Sequence, residues 1–165
     1  MPGDIEWDEP TPAEKAMIDA LIRYQYGVDP ASVLPPGYSV SRSRKTGRVR
    51  YIGMGGAHLA TIRASDGFLV PGEGLAAPLS ENTEYRVTVE DDAAVYVGEG
   101  RTVFAKHVVN AGEPVRPGDE VVVTNSHGVP VALGRAVLPG RDMVLMKRGK
   151  AVKTRRGLYR RDGEK

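Results

Sequence analysis

The sequence predicts an α+β chain: a small amino-terminal α/β module, with a helix on an antiparallel sheet, followed by a β-rich pseudobarrel with helical decoration. Three observations predict it. The start of the chain carries a full set of helix signals. The rest alternates short apolar runs with tight turns, in a chain of twenty Gly and twelve Pro, which implies many short elements. The charge is also sorted. Residues 141–165 hold ten Lys/Arg against three Asp/Glu, a net of +7 in a 165-residue chain whose total is +2. A positive surface of that kind most often meets a phosphate backbone.

Composition limits the alternatives. Hydrophobic residues make up 41% and charged residues 27%, the balance of a globular protein. No apolar run reaches the roughly 18–20 residues needed to cross a bilayer. The opening MPGDIEWDEP is acidic and lacks the basic and apolar regions of a signal peptide. There is no Cys, hence no disulfide or thiolate metal site, which suits a reducing cytoplasm. The expectation is a cytoplasmic protein without membrane contact.

The elements follow in order. Residues 1–10, with four acids and no base, read as a frayed tail. Thr11 then serves as N-cap, Pro12 as the first helical residue, and Glu14 completes a capping box. The run AEKAMIDALIRYQYG places Met17, Leu21 and Tyr24 on one face with Ile18 and Ile22 beside them, and Gly27 ends the helix. Lys45-Thr46-Gly47 and Gly55-Gly56 read as hairpin turns of a small antiparallel sheet. The GMGG run lacks the spacing and Lys-Ser/Thr ending of a phosphate loop, so it reads as a turn. Arg42, Arg44, Lys45, Arg48 and Arg50 form a second basic cluster. Residues 71–84, rich in Gly and Pro and without sustained period, read as the junction between a module at 11–80 and a second domain at 84–158.

In the second half YRVTV reads as a strand. Asp91 or Asp92 caps a short helix over residues 93–97, which Gly98 and Gly100 end. Residues 103–109 read as buried chain interrupted by Lys106 and His107. RPGDE turns into the apolar strand at Val121, Val122 and Val123, and residues 125–128 turn into VALGRAV. Pro139-Gly140 breaks the chain before a short helix at 141–147. AVKTRR is the last strand, read as an edge strand, and residues 159–165 read as a frayed tail. Several short strands with turns of helix between them suit a small closed or partly closed barrel.

The segment GRTVFAKHVVNAGEPVRPGDEVVVTNSHGVPVALGRAVLPGRDMVLMKRGKAVKTRRG resembles a PUA domain, an RNA-binding pseudobarrel found on pseudouridine synthases and archaeal tRNA-guanine transglycosylases. The resemblance rests on Gly100 after the first helix, the PGDEV turn and strand, the ALGRAVL strand and the KRGKAVKTR ending. The amino-terminal half, with YQYG, RSRKTGRVRYI and HLATIRASDGFL, is similar to the module that precedes the PUA domain in archaeosine transglycosylases. Their large catalytic barrel has no counterpart in this chain. The resemblance implies an RNA face made by the first helix, the glycine loop and the last strand. Transferred by motif position, that face comprises Gly100, Arg101, Lys106, His107, Lys147, Arg148, Lys150, Lys153, Arg155 and Arg156. Strand alternation points Lys153 and Arg155 together, with Arg156 opposite or at the strand's end.

No catalytic constellation stands out. His58, His107 and His127 lack metal-ligand spacing, and no nucleophile elbow is present. The expected chain is therefore a non-catalytic binder of tRNA or another structured RNA, with no cofactor and no metal. Two alternatives remain. One is a detached RNA-binding subunit or adaptor of a tRNA- or rRNA-modifying enzyme of the transglycosylase or pseudouridine synthase type. The other is a small enzyme with its site near His58 and Asp66.

Overall fold

A computed structural model of the chain describes residues 5–159. Residues 1–4 and 160–165, both within segments read as tails, lie outside the described residues. The backbone forms two units, one up to Leu75 and one from Ala76 onward.

In the first unit helix α1 (Pro12–Tyr26) starts as its sequence dictates. Thr11 Oγ1 accepts from the Glu14 N–H at 3.2 Å, and Glu14 Oε1 accepts from the Thr11 N–H at 2.8 Å. Its buried face is displaced from the predicted stripe. Ile18, Ile22 and Tyr26 are buried, whereas Met17 and Tyr24 are exposed. Spacings of three and four fit both stripes, and only the sheet beneath the helix decides between them.

That sheet is an antiparallel meander of β1 (Ser39–Arg42), β2 (Val49–Met54), β3 (Ala57–Ile62) and β4 (Leu69–Pro71), paired in that order. Val40, Ile52, Ala60 and Leu69 are fully buried within it. Burial of each large aliphatic side chain stabilises the unit by about 1.5–3 kcal/mol. Residues 7 and 8, ahead of α1, are held rather than loose. Asp8 and Val40 exchange two backbone hydrogen bonds of 2.8 Å across the free edge of β1. The Trp7 ring lies against Gly53, where a Cβ would collide with it.

The turns of β1–β2 and β3–β4 are built alike. Residues 43–48 close with Ser43 N–H to Arg48 O and Gly47 N–H to Ser43 O, both 2.8 Å. Residues 63–68 repeat this with Arg63 N–H to Phe68 O and Gly67 N–H to Arg63 O, again 2.8 Å. Thr46 Oγ1 and Asp66 Oδ1 accept the same local N–H, from Arg48 at 3.3 Å and Phe68 at 3.0 Å. Because a meander reverses at each turn, these two turns share one end of the sheet and Gly55-Gly56 lies at the other.

The boundary between the units falls within the segment 71–84, but its reading as chain without sustained period is corrected. Residues 73–82 form helix α2 (Glu73–Asn82), with Pro78 inside it. Gly72, Gly74 and Pro78 concealed a helical pattern in which Leu75, Ala76, Leu79 and Ser80 are buried. Tertiary burial outweighs a poor local propensity here.

The second unit comprises β5 (Arg86–Val89), α3 (Asp91–Gly98), β6 (Val103–Phe104), a 3-10 turn (Ala105–His107), β7 (Val108–Ala111), β8 (Glu120–Thr124), β9 (Pro130–Ala136), α4 (Gly140–Met146) and β10 (Lys150–Gly157). Its six strands run β6-β10-β9-β8-β5-β7. Only β5 and β8 are parallel. They curl into a nearly closed barrel around Val87, Val89, Val103, Val123, Val131 and Val152, and Met143 of α4 is buried with them. Such β-branched side chains suit a buried, pleated wall.

Three readings are corrected here. The N-cap of α3 is Glu90, which makes no side-chain cap bond. Asp91 instead accepts from Ser126 Oγ at 2.6 Å and Ser126 N–H at 3.1 Å, tying the β8–β9 turn to the helix. Those bonds, first the hydroxyl and then the backbone one, with His127 nearby, hold its carboxyl below the usual range. Residues 103–109 are not continuously buried, since Phe104 and Val109 face outward. β10 is not an edge strand, because it pairs with β9 on one side and with the two-residue β6 on the other.

Candidate nucleic-acid interface

The glycine loop after α3 is locked onto the last strand. Gly100, at φ 108°, adopts a backbone conformation that side-chain-bearing residues rarely reach. Gly100 N–H reaches Val97 O at 2.9 Å and Arg101 N–H reaches Tyr96 O at 3.1 Å. Thr154 Oγ1 of β10 donates to Arg101 O at 2.7 Å, and Tyr159 N–H to Gly98 O at 2.9 Å. Gly157 lies so near the Gly98 carbonyl that a Cβ on it would overlap that oxygen. Glycine at Gly157 therefore lets two backbones meet.

Beside this loop lies an open cleft of about 390 Å³ whose lining includes Tyr96, Arg101, Phe104, Lys106 and His107. Tyr96 is 59% exposed and Phe104 43%, large values for aromatic side chains. His107 Nδ1 lies 3.2 Å from Glu90 Oε2, and its backbone oxygen accepts from Glu90 N–H at 2.9 Å. The cleft thus offers two π-faces beside two permanent cations and a histidine. Unpaired bases stack on such rings, and cations meet phosphates.

The predicted residues divide on inspection. Lys150 stands opposite Phe104 in the β10–β6 register, and Ala105 N–H bonds Gly149 O at 2.8 Å. Those bonds bring residues 147–150 beside the cleft. Lys147 is the left-handed cap of α4 at φ 54°, and its Nζ donates to Val108 O at 3.3 Å. Arg148, Lys150, Lys153 and Arg156 are exposed.

Arg155 has another task. The β10–β9 register slips between Thr154 and Arg156, which leaves Arg155 as the extra residue of a bulge. Its guanidinium lies on Glu120 of β8 in a two-pronged ion pair, with Arg155 Nη2 at 2.9 Å from Glu120 Oε2. The Glu120 side chain is 3% exposed. Glu120 is in register with Arg135, and Arg135 with Lys153, so the carboxylate sits beneath a row of cations.

The second basic cluster divides too. Arg42 is spent on Glu14 at 2.6 and 2.7 Å, Asp8 at 3.1 Å and the Glu9 carbonyl at 3.3 Å. The guanidinium, chiefly by hydrogen bonding, draws the Glu14 carboxyl down to about 2. Arg44, Lys45 and Arg48 lie exposed on the β1–β2 turn and Arg50 is half-buried on β2.

His58 and Asp66 are not brought together. His58 Nε2 meets Thr61 Oγ1 at 2.9 Å near the start of β3, whereas Asp66 pairs with Arg63 beyond its other end. Among the described residues no three His, Asp or Glu gather as a metal site, and no helix is long and apolar enough to cross a membrane.

Tyr96 and Phe104 were missed as candidates. Alternation from buried Val103 could have turned Phe104 outward, whereas nothing local distinguished Tyr96 from its buried neighbours in α3.

A nearly closed barrel whose glycine loop is stitched to its last strand defines the class: residues 85–158 match the PUA domain. Residues 16–86 match the patch-forming domain C2 of tRNA-guanine transglycosylase. The chain thus carries a patch-forming C2 domain followed by a PUA domain and is homologous to the carboxy-terminal portion of archaeal tRNA-guanine transglycosylases. It is 41% identical to the tRNA-guanine(15) transglycosylase of Thermococcus onnurineus over 84% of its own length and 24% of that enzyme's. With the Thermococcus kodakarensis enzyme it shares 38% over 94% of itself and 27% of the relative. The chain thus spans about a quarter of these relatives. Its fold is also that of a conserved PUA domain protein from Thermoplasma acidophilum, with TM-score 0.68, 23% identity and 98% and 95% of the two chains covered.

Proposed function

We propose that this chain is a non-catalytic RNA-binding protein that grips tRNA or a similarly structured RNA through the second unit. The observation that carries this reading is the cleft in which exposed Tyr96 and Phe104 stand beside Arg101, Lys106 and His107, with Lys150 opposite Phe104 on the paired strand and exposed Arg148 on the turn before it. The PUA match and the homology to a tRNA-modifying enzyme support it. Phosphate contacts from the cations supply most of the affinity, while the rings and backbone groups read unpaired bases.

Titration of folded tRNA at rising salt tests this. With about four to six phosphates neutralised, at about −0.7 to −0.9 each, log K falls against log salt with a slope of about −3 to −5. Joint replacement of Arg101 and Lys106 by Ala lowers the slope by about 1–2. A nearly flat dependence refutes the reading.

A second reading is favoured by the homology to the carboxy-terminal portion of a tRNA-modifying enzyme. In it the chain serves as the RNA-binding subunit of a modifying enzyme held on a separate polypeptide. Co-purification with an intact transglycosylase-like or synthase-like protein, and faster modification of tRNA when the two are mixed, supports it. Retention of neither effect removes it.

A further inference from the structure

The first unit carries a stacked aromatic pair at its surface. Tyr24 of α1 and Phe68, just before β4, hold their rings 6.2 Å apart at centroids and 7° from parallel. Tyr24 is 76% exposed and Phe68 37%, so the pair stands at the surface. Its geometry is nevertheless enforced. Gln25, the neighbour of Tyr24, accepts from Leu69 N–H at 2.8 Å and donates to Leu69 O at 2.9 Å. Phe68 is further held by Asp66 Oδ1 on its N–H, at 3.0 Å. Amide and carboxylate clamps on either side of one exposed ring fix a platform in advance of any ligand.

The platform adjoins an open groove of about 810 Å³ between the twin turns. Met17, two helical turns before Tyr24, and Gly67, next to Phe68, both line it, as do Arg48 and Arg50. The two acids on its walls are already engaged, Glu14 by Arg42 and Asp66 by Arg63. Arg48 and Arg50, two residues apart on one side of the chain, have no ion-pair partner among the described residues. Arg44 and Lys45 extend this charge to the turn's tip. A row of unpaired cations leading to a fixed aromatic face suits a strand with charged phosphates and flat bases.

We propose that Tyr24 and Phe68 stack an unpaired nucleobase of a bound RNA whose neighbouring phosphates lie on Arg48, Arg50 and the 43–48 turn. This rests on the RNA-binding reading above but concerns a separate site in the other unit. The test uses the full chain and two RNAs with the same stem: a hairpin with 2-aminopurine in its loop, and a fully paired duplex. The wild-type protein quenches the loop fluorophore. Tyr24→Ala abolishes the quenching and weakens hairpin binding about 5–100-fold, the range for loss of one stacked base. It leaves duplex binding unchanged, and Tyr24→Trp restores the quenching. Phe68→Leu, which keeps an apolar side chain at the half-exposed position, gives a partial loss. Equal weakening on hairpin and duplex, or none on either, overturns the proposal while leaving the second-unit interface standing. Absence of binding to either RNA by the wild-type protein overturns both readings. Thermal melting of each variant confirms that it is folded.

Discussion

Replacing Arg155 by Ala tests whether this arginine holds the barrel together or meets RNA. The substitution removes both prongs of the Arg155–Glu120 pair and leaves a carboxylate that is 3% exposed without its main counter-ion. Removing one partner of a fully buried pair costs about 3–5 kcal/mol. Arg155 itself is 39% exposed, so solvent already screens part of the attraction, and Arg135 stands opposite Glu120 to compensate. The expected loss is therefore about 2–3 kcal/mol, a fall in melting temperature of about 10–20 °C for a domain of this size. Lys153→Ala, at an exposed position, shifts melting little and weakens tRNA binding with a smaller salt slope. Glu120→Gln placed on Arg155→Ala recovers about half of the lost stability, because the uncompensated charge is gone. Circular dichroism melts and salt titrations on the variants measure all of this. If Arg155→Ala melts with the wild type and loses RNA affinity as Lys153→Ala does, the structural assignment of Arg155 is wrong.

Gly157→Ala forces a methyl against the Gly98 carbonyl and destabilises the protein by about 1–3 kcal/mol, with weaker RNA binding because the Arg101 loop shifts, as melting and titration together will show. Glu14 titrates near 2 when folded instead of 4.5. A depressed folded pKa means stability present above about pH 4.5 and lost as pH falls toward 2. Glu14→Gln therefore flattens acid unfolding in that window, read by denaturant midpoints at stepped pH. Asp91→Asn weakens the tie between α3 and the β8–β9 turn, so amide hydrogen exchange at residues 125–128 rises while strands β8 and β9 stay protected. Tyr38 Oη is buried with no hydrogen-bond partner among the described residues. Tyr38→Phe is accordingly neutral or stabilising by up to about 1 kcal/mol in urea melts.

Features that depend on a few adjacent residues were legible in the sequence. The Thr11–Glu14 capping box, the Gly27 stop and the PGDE turn into β8 all stand where spacing put them. So does the basic character of residues 147–156. What spacing left ambiguous was which face each element buries. Met17 and Tyr24 fitted the helix period as well as Ile18 and Ile22, and α2 hid behind two glycines and a proline. Arg155 looked like its neighbours until a bulge and a buried Glu120 from another strand claimed it. Arg42 was claimed in the same way by Glu14 and Asp8.

By itself the sequence determined that a capped helix, a run of short strands and a positive carboxy-terminal region would form, because caps, turns and charge are properties of residues close along the chain. Only the tertiary structure decided which cations are free. An arginine's partner lies where the strands bring it, 28 residues away for Arg42 and 35 for Arg155. The same packing left Tyr96, Phe104, Tyr24 and Phe68 at the surface, since a small core has room for only one face of each element.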